Sequence, residues 1–185
     1  RFVRLAAMQE ILERDDENAA DADLEPAQPI AVAPGEYRQA REDGENALRR
    51  GCIGVVLVAG GQGSRLGFDH PKGAFPLAPL SHATLFEIHA AKILARSRRC
   101  GRPLPFFIMT SATNDNETRQ FFADNKYFGL PRDHVHFFCQ GMSPALDGDG
   151  RIVLDRPDHI FMSPDGHGGM LDAMRRHRLF DAMDR

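Results

Sequence analysis

A doubly wound α/β sheet is the fold this sequence predicts, and three observations predict it. Short apolar, β-rich runs alternate with helical stretches from residue 53 onward, the helices carry recognisable caps, and glycine- or proline-bearing loops follow the strands. Ligands of such sheets sit beyond the carboxyl ends of the strands, so the loops at those ends are where function is expected.

Phe2 to Leu12 has near-helical apolar spacing and reads as an N-terminal helix over 1–14. Residues 15–35 form an acidic and proline-bearing linker, running through Glu25, Pro26, Pro29 and Pro34 with little core-forming power. A helix over Glu36 to Arg50 stops at Gly51. Ile53 to Val58 is the first strand, apolar enough to be buried on both faces. Ala59 to Gly73 is a long glycine loop. Thr84 caps a helix over Leu85 to Arg99, with Glu87 three residues on as in a capping box. Phe106 to Thr110 is the second strand, Asn116 to Asn125 a helix, and Val135 to Cys139 the third strand. Beyond the turn Asp147-Gly148-Asp149-Gly150, Ile152 to Leu154 and Ile160 to Met162 are short strands, and Met170 to Met183 closes as one helix. The loops 59–73, Gln140-Gly141 and Ser163 to Gly169 are expected to converge on one crevice.

The 185 residues fit one domain, and 42% hydrophobic residues are enough to build its core. A net charge of -3 argues against nucleic acid or an anionic membrane as partner, so any polyanion site must be local. Lys72, Lys92 and Lys126 are the only lysines, which makes a lysine inside a glycine loop noteworthy. Cys52, Cys100 and Cys139 have no zinc or CxxC spacing and read as buried, reduced thiols of a cytoplasmic protein. No signal peptide is visible, and no apolar run reaches the roughly 20 residues of a membrane helix. His134, His136 and His159 do not make a metal-ligand set, and Arg175, Arg176 and Arg178 read as a solvated helix face.

Val58 to Gly67 has glycine at four of ten positions. That density suits positive φ angles and a backbone that approaches a ligand without Cβ atoms in the way. Successive amides in such a loop form a nest for phosphate oxygens, to which Arg65 adds a forked cation and Lys72 a compact one. The loop lacks the lysine of a GxxxxGK[ST] motif, and after Gly61 and Gly63 the next glycine, Gly67, comes one residue late for GxGxxG. A variant dinucleotide spacing and a purely structural glycine turn are the alternatives to a phosphate site.

The run Ala59 to Gly73, AGGQGSRLGFDHPKG, resembles the signature loop of the eukaryotic-type UDP-N-acetylglucosamine and UDP-sugar pyrophosphorylases. The likeness continues through Met109-Thr110-Ser111 with Thr113, Phe121-Phe122, Phe128-Gly129-Leu130, Phe137 to Met142 with Pro144-Ala145, and Pro164 to Gly169. It covers roughly Glu36 to Met174, in order. The resemblance implies a Rossmann-like doubly wound mixed sheet of the nucleotide-diphospho-sugar transferase type. It also implies a uridylyltransferase that joins UTP to a sugar 1-phosphate, N-acetylglucosamine first, with Mg²⁺ as cofactor. Carried over residue by residue, it places uracil on the backbone of Ala59, Gly60 and Gly61 and on the side chain of Gln140. Gln62, Gly63, Ser64 and the Gly166 amide also meet the nucleotide. Arg65 lies on the outgoing pyrophosphate, Lys72 on the α-phosphate side, and His167 on the sugar. Glucose-type relatives often carry histidine where acetylglucosamine enzymes carry asparagine, so His167 keeps a glucose or galactose specificity open. Cys139 stands in place of a glutamine and reads as packing. The family's domain runs on to a metal-binding aspartate and a further lysine that do not occur between Arg1 and Arg185. The expectation is therefore the N-terminal part of a catalytic domain over 36–185, truncated, with a non-catalytic nucleotide-binding fragment as the alternative.

Overall fold

Among the described residues, Phe106 to Thr110 form the one strand whose every residue is buried, and the described fold is organised around it. A computed structural model describes residues 27–28 and 33–183; the helix expected at 1–14 and most of the linker at 15–35 lie outside them. Two compact units divide the chain: Pro34–Gly141 with the stretch from Asp165 onward, and a smaller one that includes Met142–Pro164.

In the larger unit, α1 (Pro34–Arg50) precedes β1 (Val55–Val58), α2 (Leu85–Cys100), β2 (Phe106–Thr110), α3 (Asp115–Asp124) and β3 (Val135–Cys139). The strands form a parallel sheet in the order β1-β2-β3, with Val55 opposite Phe106 and Phe106 opposite Val135. Because side chains alternate along a strand, β2 feeds two cores. Phe106 and Ile108 join Phe86, Ala90 and Ile93 of α2 and Phe122 of α3. Phe107 and Met109 join Phe138, Ala173, Met174 and Leu179 on the other face. The sheet is thus wound on both faces, as the alternation of strands and helices requires. Each phenylalanine buried this deeply is worth about 3–5 kcal/mol on truncation to alanine.

Local signals set the helix ends. Thr84 accepts the Glu87 N–H at 3.2 Å, and Gly101 ends α2 with φ 77. α1 begins at Pro34, two residues earlier than expected, in the first turn, where a missing N–H leaves no bond unmade. Other expectations need correction. β1 is only half-buried and Val58 is exposed, because β1 pairs with β2 alone among the described residues. Cys52 is exposed rather than buried, since it sits in the turn between Gly51 and β1; Cys100 and Cys139 are half-buried. The closing helix is two: α4 (Met170–Arg176) and α5 (Phe180–Met183). Arg178 takes φ 54, and the bonds Leu179 N to Met174 O and Arg178 N to Arg175 O complete a Schellman turn. That turn directs Leu179 into the core, which a continuous helix would not.

In the smaller unit, β4 (Met142–Pro144) pairs antiparallel with β7 (Met162–Pro164), and β5 (Leu154–Arg156) with β6 (His159–Ile160). The strand expected at 152–154 lies later, at β5, and the one expected at 160–162 is divided between β6 and β7, with Phe161 in neither. The turn at 147–150 is made by Asp147, whose carboxylate accepts the N–H groups of Asp149 and Arg151 at 2.9 Å. No described helix is long and apolar enough to cross a membrane.

Candidate functional site

The glycine loop leaves the sheet at Ala59, whose N–H donates to Met109 O at 2.7 Å, and then folds back on itself. Gly63 N–H donates to His70 O at 2.9 Å and Lys72 N–H to Gly61 O at 3.1 Å, with Gln62 opposite Pro71. The tip is a 3₁₀ turn over Ser64–Leu66, closed by Gly67 at φ 66. Arg65 therefore rides on the exposed tip, while Lys72 starts on the returning leg, its Nζ 3.8 Å from where a Cβ on Gly61 would lie.

The glycines answer to different neighbours. Within the loop only Gly67 uses the left-handed conformation; Gly60, Gly63 and Gly73 are closely approached by protein groups, and Gly61 is not. A Cβ on Gly60 would lie 2.9 Å from Gln140 Oε1, one on Gly63 2.7 Å from Phe68 O, and one on Gly73 would overlap the buried Phe86 ring. Gly73 thus seats the Lys72 backbone directly on the core.

Beneath the loop lies a residue that the sequence reading missed. Asn114 is fully buried. Its Nδ2 donates to Ala59 O at 2.9 Å and Gly61 O at 3.4 Å, while its Oδ1 accepts the Ser111 N–H at 2.9 Å and hydroxyl at 3.0 Å. An asparagine just before an acidic helix start is visible in the sequence as a cap, but its partners lie more than fifty residues upstream. Next to it, the Thr110 hydroxyl bridges Asp115 Oδ1 and Phe138 O. Burial alone would raise the Asp115 pKa, but hydrogen bonds from Arg119 and Thr110 outweigh it and hold the carboxyl below its usual value.

Gln140 follows β3, its N–H bonded to Thr110 O at 2.8 Å. Its side chain reaches past the end of β2 to lie against Gly60. The stretch from Asp165 docks at the same strand end: Asp165 N–H donates to Gly141 O at 3.1 Å, and its carboxylate fills the space that Cβ atoms on Gly141 and Gly169 would take. Arg176 stands 4.0 Å from that carboxylate, so it is more than part of a solvated face; Arg175 pairs with Asp172 on the surface. Gly166 (φ 67) and His167 are exposed on this loop. The structure thus brings Ala59, Gly60, Gly61 and Lys72 together with Gln140, and Asp165–Gly169 up to Gly141.

Arg65 and Lys72 are exposed and have no carboxylate partner among the described residues, so both cations are available to an anion. Gln62 is half-buried, and its Oε1 is buried without a hydrogen-bond partner among the described residues. Ser64 is exposed. Burial pushes the Cys139 thiol up, in keeping with a packing role. Among the described residues no three His, Cys, Asp or Glu side chains converge as metal ligands.

The family model described as UTP–glucose-1-phosphate uridylyltransferase matches residues 2–185. UDP-N-acetylglucosamine diphosphorylase 2 of Arabidopsis thaliana is 37% identical over 180 residues, spanning 88% of this chain and 36% of the relative. UDP-N-acetylglucosamine pyrophosphorylase of Saccharomyces cerevisiae is 35% identical over 148 residues, spanning 77% of this chain and 31% of the relative. The crystal structure of the uridine diphosphate N-acetylglucosamine pyrophosphorylase from Trypanosoma brucei, in complex with an inhibitor, superposes with a TM-score of 0.73. Its identity is 33%, over 90% of this chain and 36% of that one. The chain spans about a third of the length of these relatives.

Proposed function

Since the chain belongs to the UTP–glucose-1-phosphate uridylyltransferase family, we propose that it carries the UTP-binding part of an enzyme making a UDP-sugar and pyrophosphate from UTP and a sugar 1-phosphate. The observation that carries this reading is the Gln140 carboxamide lying against Gly60 at the mouth of the glycine loop. A carboxamide beside backbone amides offers donor and acceptor to the edge of a uracil, which has both. The backbone of Ala59, Gly60 and Gly61 completes that reader, with Gln62, Gly63, Ser64 and Gly166 toward the ribose and phosphates.

In the proposed reaction an oxygen of the sugar phosphate attacks the α-phosphorus of UTP in line. The new O–P bond forms as the bond to the bridging oxygen breaks, and pyrophosphate leaves with that electron pair. The nucleophile is already anionic, so no general base is required. Catalysis is then alignment and charge neutralisation by groups set beforehand, which Arg65 and Lys72, unpaired among the described residues, supply. Arg65 is assigned to the departing pyrophosphate and Lys72 to the α-phosphate. Mg²⁺ would enter with the phosphates of UTP and would supply charge neutralisation there; the described residues offer no three-ligand cage for it. Three free thiols suit a reducing compartment, and the cytoplasm is the proposed location.

The names of the relatives favour N-acetylglucosamine 1-phosphate as the sugar substrate. His167 on the exposed loop favours a second reading, glucose or galactose 1-phosphate. Calorimetry with UTP and pyrophosphate release across a panel of sugar 1-phosphates test both. UTP binding with release is expected, and the preferred sugar selects between the readings. Binding without release in any longer form of the protein leaves a nucleotide-binding module, and absence of UTP binding overturns the proposal. Lys72→Ala is expected to lower turnover by about 10²-fold or more while changing the UTP dissociation constant only a few-fold. Equal losses in both would remove Lys72 from the α-phosphate.

A further inference from the structure

We propose that Asn114 is the positioning residue that aims the nucleotide-facing amides of the glycine loop, a role that rests on the uridine-nucleotide reading above. It occupies the N-cap position of α3 yet makes no side-chain bond to its own helix, although asparagine is favoured there for that bond. The carboxamide is committed elsewhere. Oδ1 takes the N–H and hydroxyl of Ser111, which fixes Nδ2 on the opposite side, and its two hydrogens face the carbonyls of Ala59 and Gly61.

A trans peptide points its N–H opposite to its C=O, and the described backbone has no cis bond. Holding the Ala59 carbonyl toward α3 therefore turns the Gly60 N–H away from α3. Holding the Gly61 carbonyl there turns the Gln62 N–H away in the same manner. Neither amide has a partner among the described residues, so both are presented as free donors, the first beside the Gln140 carboxamide. The Gly61 carbonyl also accepts the Lys72 N–H, which ties the cation's backbone to the same pin.

A pin is required because glycine peptides rotate with little steric resistance. A flip at Ala59–Gly60 or Gly61–Gln62 would present a carbonyl where a donor had been. Uracil and cytosine differ by exchange of donor and acceptor on their pairing edge. Loss of the pin should therefore lower UTP affinity and, separately, the preference for UTP over CTP.

Asn114→Asp tests this, because it is isosteric and keeps the acceptor for Ser111 while removing both donors to the loop. Asn114→Leu, of similar volume, stands in if the aspartate variant does not fold. Two measurements are made on wild type and variant: carbonyl ¹³C shifts of Ala59 and Gly61 without nucleotide, and calorimetric dissociation constants for UTP and CTP. The expected result is displaced carbonyl resonances at both positions, UTP affinity weakened at least about tenfold, and a UTP-to-CTP ratio moved toward one. A role in stability alone would change the folded fraction and leave that ratio where it was. Unmoved carbonyl resonances overturn the pin whatever the nucleotides do. Moved resonances with an unchanged ratio and affinity overturn its functional part. If wild-type protein binds no uridine nucleotide, the proposed function fails first and the role of Asn114 in it falls too, while the shifts still report on the pin.

Discussion

The two loops that frame the site are held in different ways. The glycine loop at 59–73 is braced along its length: Gly60 by Gln140, Gly61 by Asn114 and Lys72, Gly63 by Phe68 and His70, Gly73 by Phe86. His70 adds a side-chain contact to Glu117 of α3 at 2.5 Å. The loop from Asp165 to Gly169 is tied back by Asp165, through its N–H and its carboxylate, and by the carbonyls of His167 and Gly169, which accept the N–H groups of Met170 and Ala173 at the start of α4. The loop proposed to meet the nucleotide is thus braced from several sides of the core, whereas the loop proposed to meet the sugar has Asp165 as its one side-chain tie to the strand end among the described residues. Pre-organised donors favour selective binding of a rigid base and a triphosphate, and a lightly anchored loop accommodates changes in sugar.

Three substitutions probe that contrast. The largest effect is expected from Gly73→Ala, because the new methyl overlaps the Phe86 ring, which is fully buried and packed on Phe122 at 5.0 Å. Overpacking of this kind costs about 1–3 kcal/mol, read as a lower midpoint in chemical denaturation, and UTP affinity should fall with it. An unchanged midpoint would show that the loop is not seated on the core. Gly169→Ala should lower the midpoint less than Gly73→Ala, since Gly169 and Asp165 are half-buried beside the exposed Gly166, His167 and Gly168. Displacing the Asp165 carboxylate is expected to weaken sugar 1-phosphate binding by about tenfold and UTP binding by less. A larger loss for UTP than for the sugar phosphate would reverse the assignment of the two sides.

The smallest effect concerns acid. Asp115 has a folded-state pKa below the 3.8 of a free carboxyl. Its contribution to stability is therefore complete above about pH 3.8 and is lost as pH falls through the lower folded value, because the unfolded chain then binds the proton more readily. Asp115→Asn should lower stability at neutral pH and flatten this acid limb. Thermal melts from pH 5 to pH 2 check it, and a limb of unchanged slope would assign the acid sensitivity to other carboxylates.

Local chemistry was enough to read β2 and β3 to the residue, the Thr84 cap of α2, the Asp147 turn, and the glycine loop with its two cations. Each of these follows from neighbours within a few positions in the chain: apolar runs, capping side chains, glycine density. Tertiary structure decided the rest. The exposure of Val58 depends on which strands pair with β1, that of Cys52 on the turn before β1, and the break at Arg178 on a core contact made by Leu179. The bonds from Asn114 to Ala59 and Gly61, and the wedge of Asp165 between Gly141 and Gly169, join positions that the sequence keeps apart. Partners of that kind appear only when the parallel sheet sets the ends of its strands side by side, which is why the residues proposed to aim the site were less visible than those proposed to face its ligand.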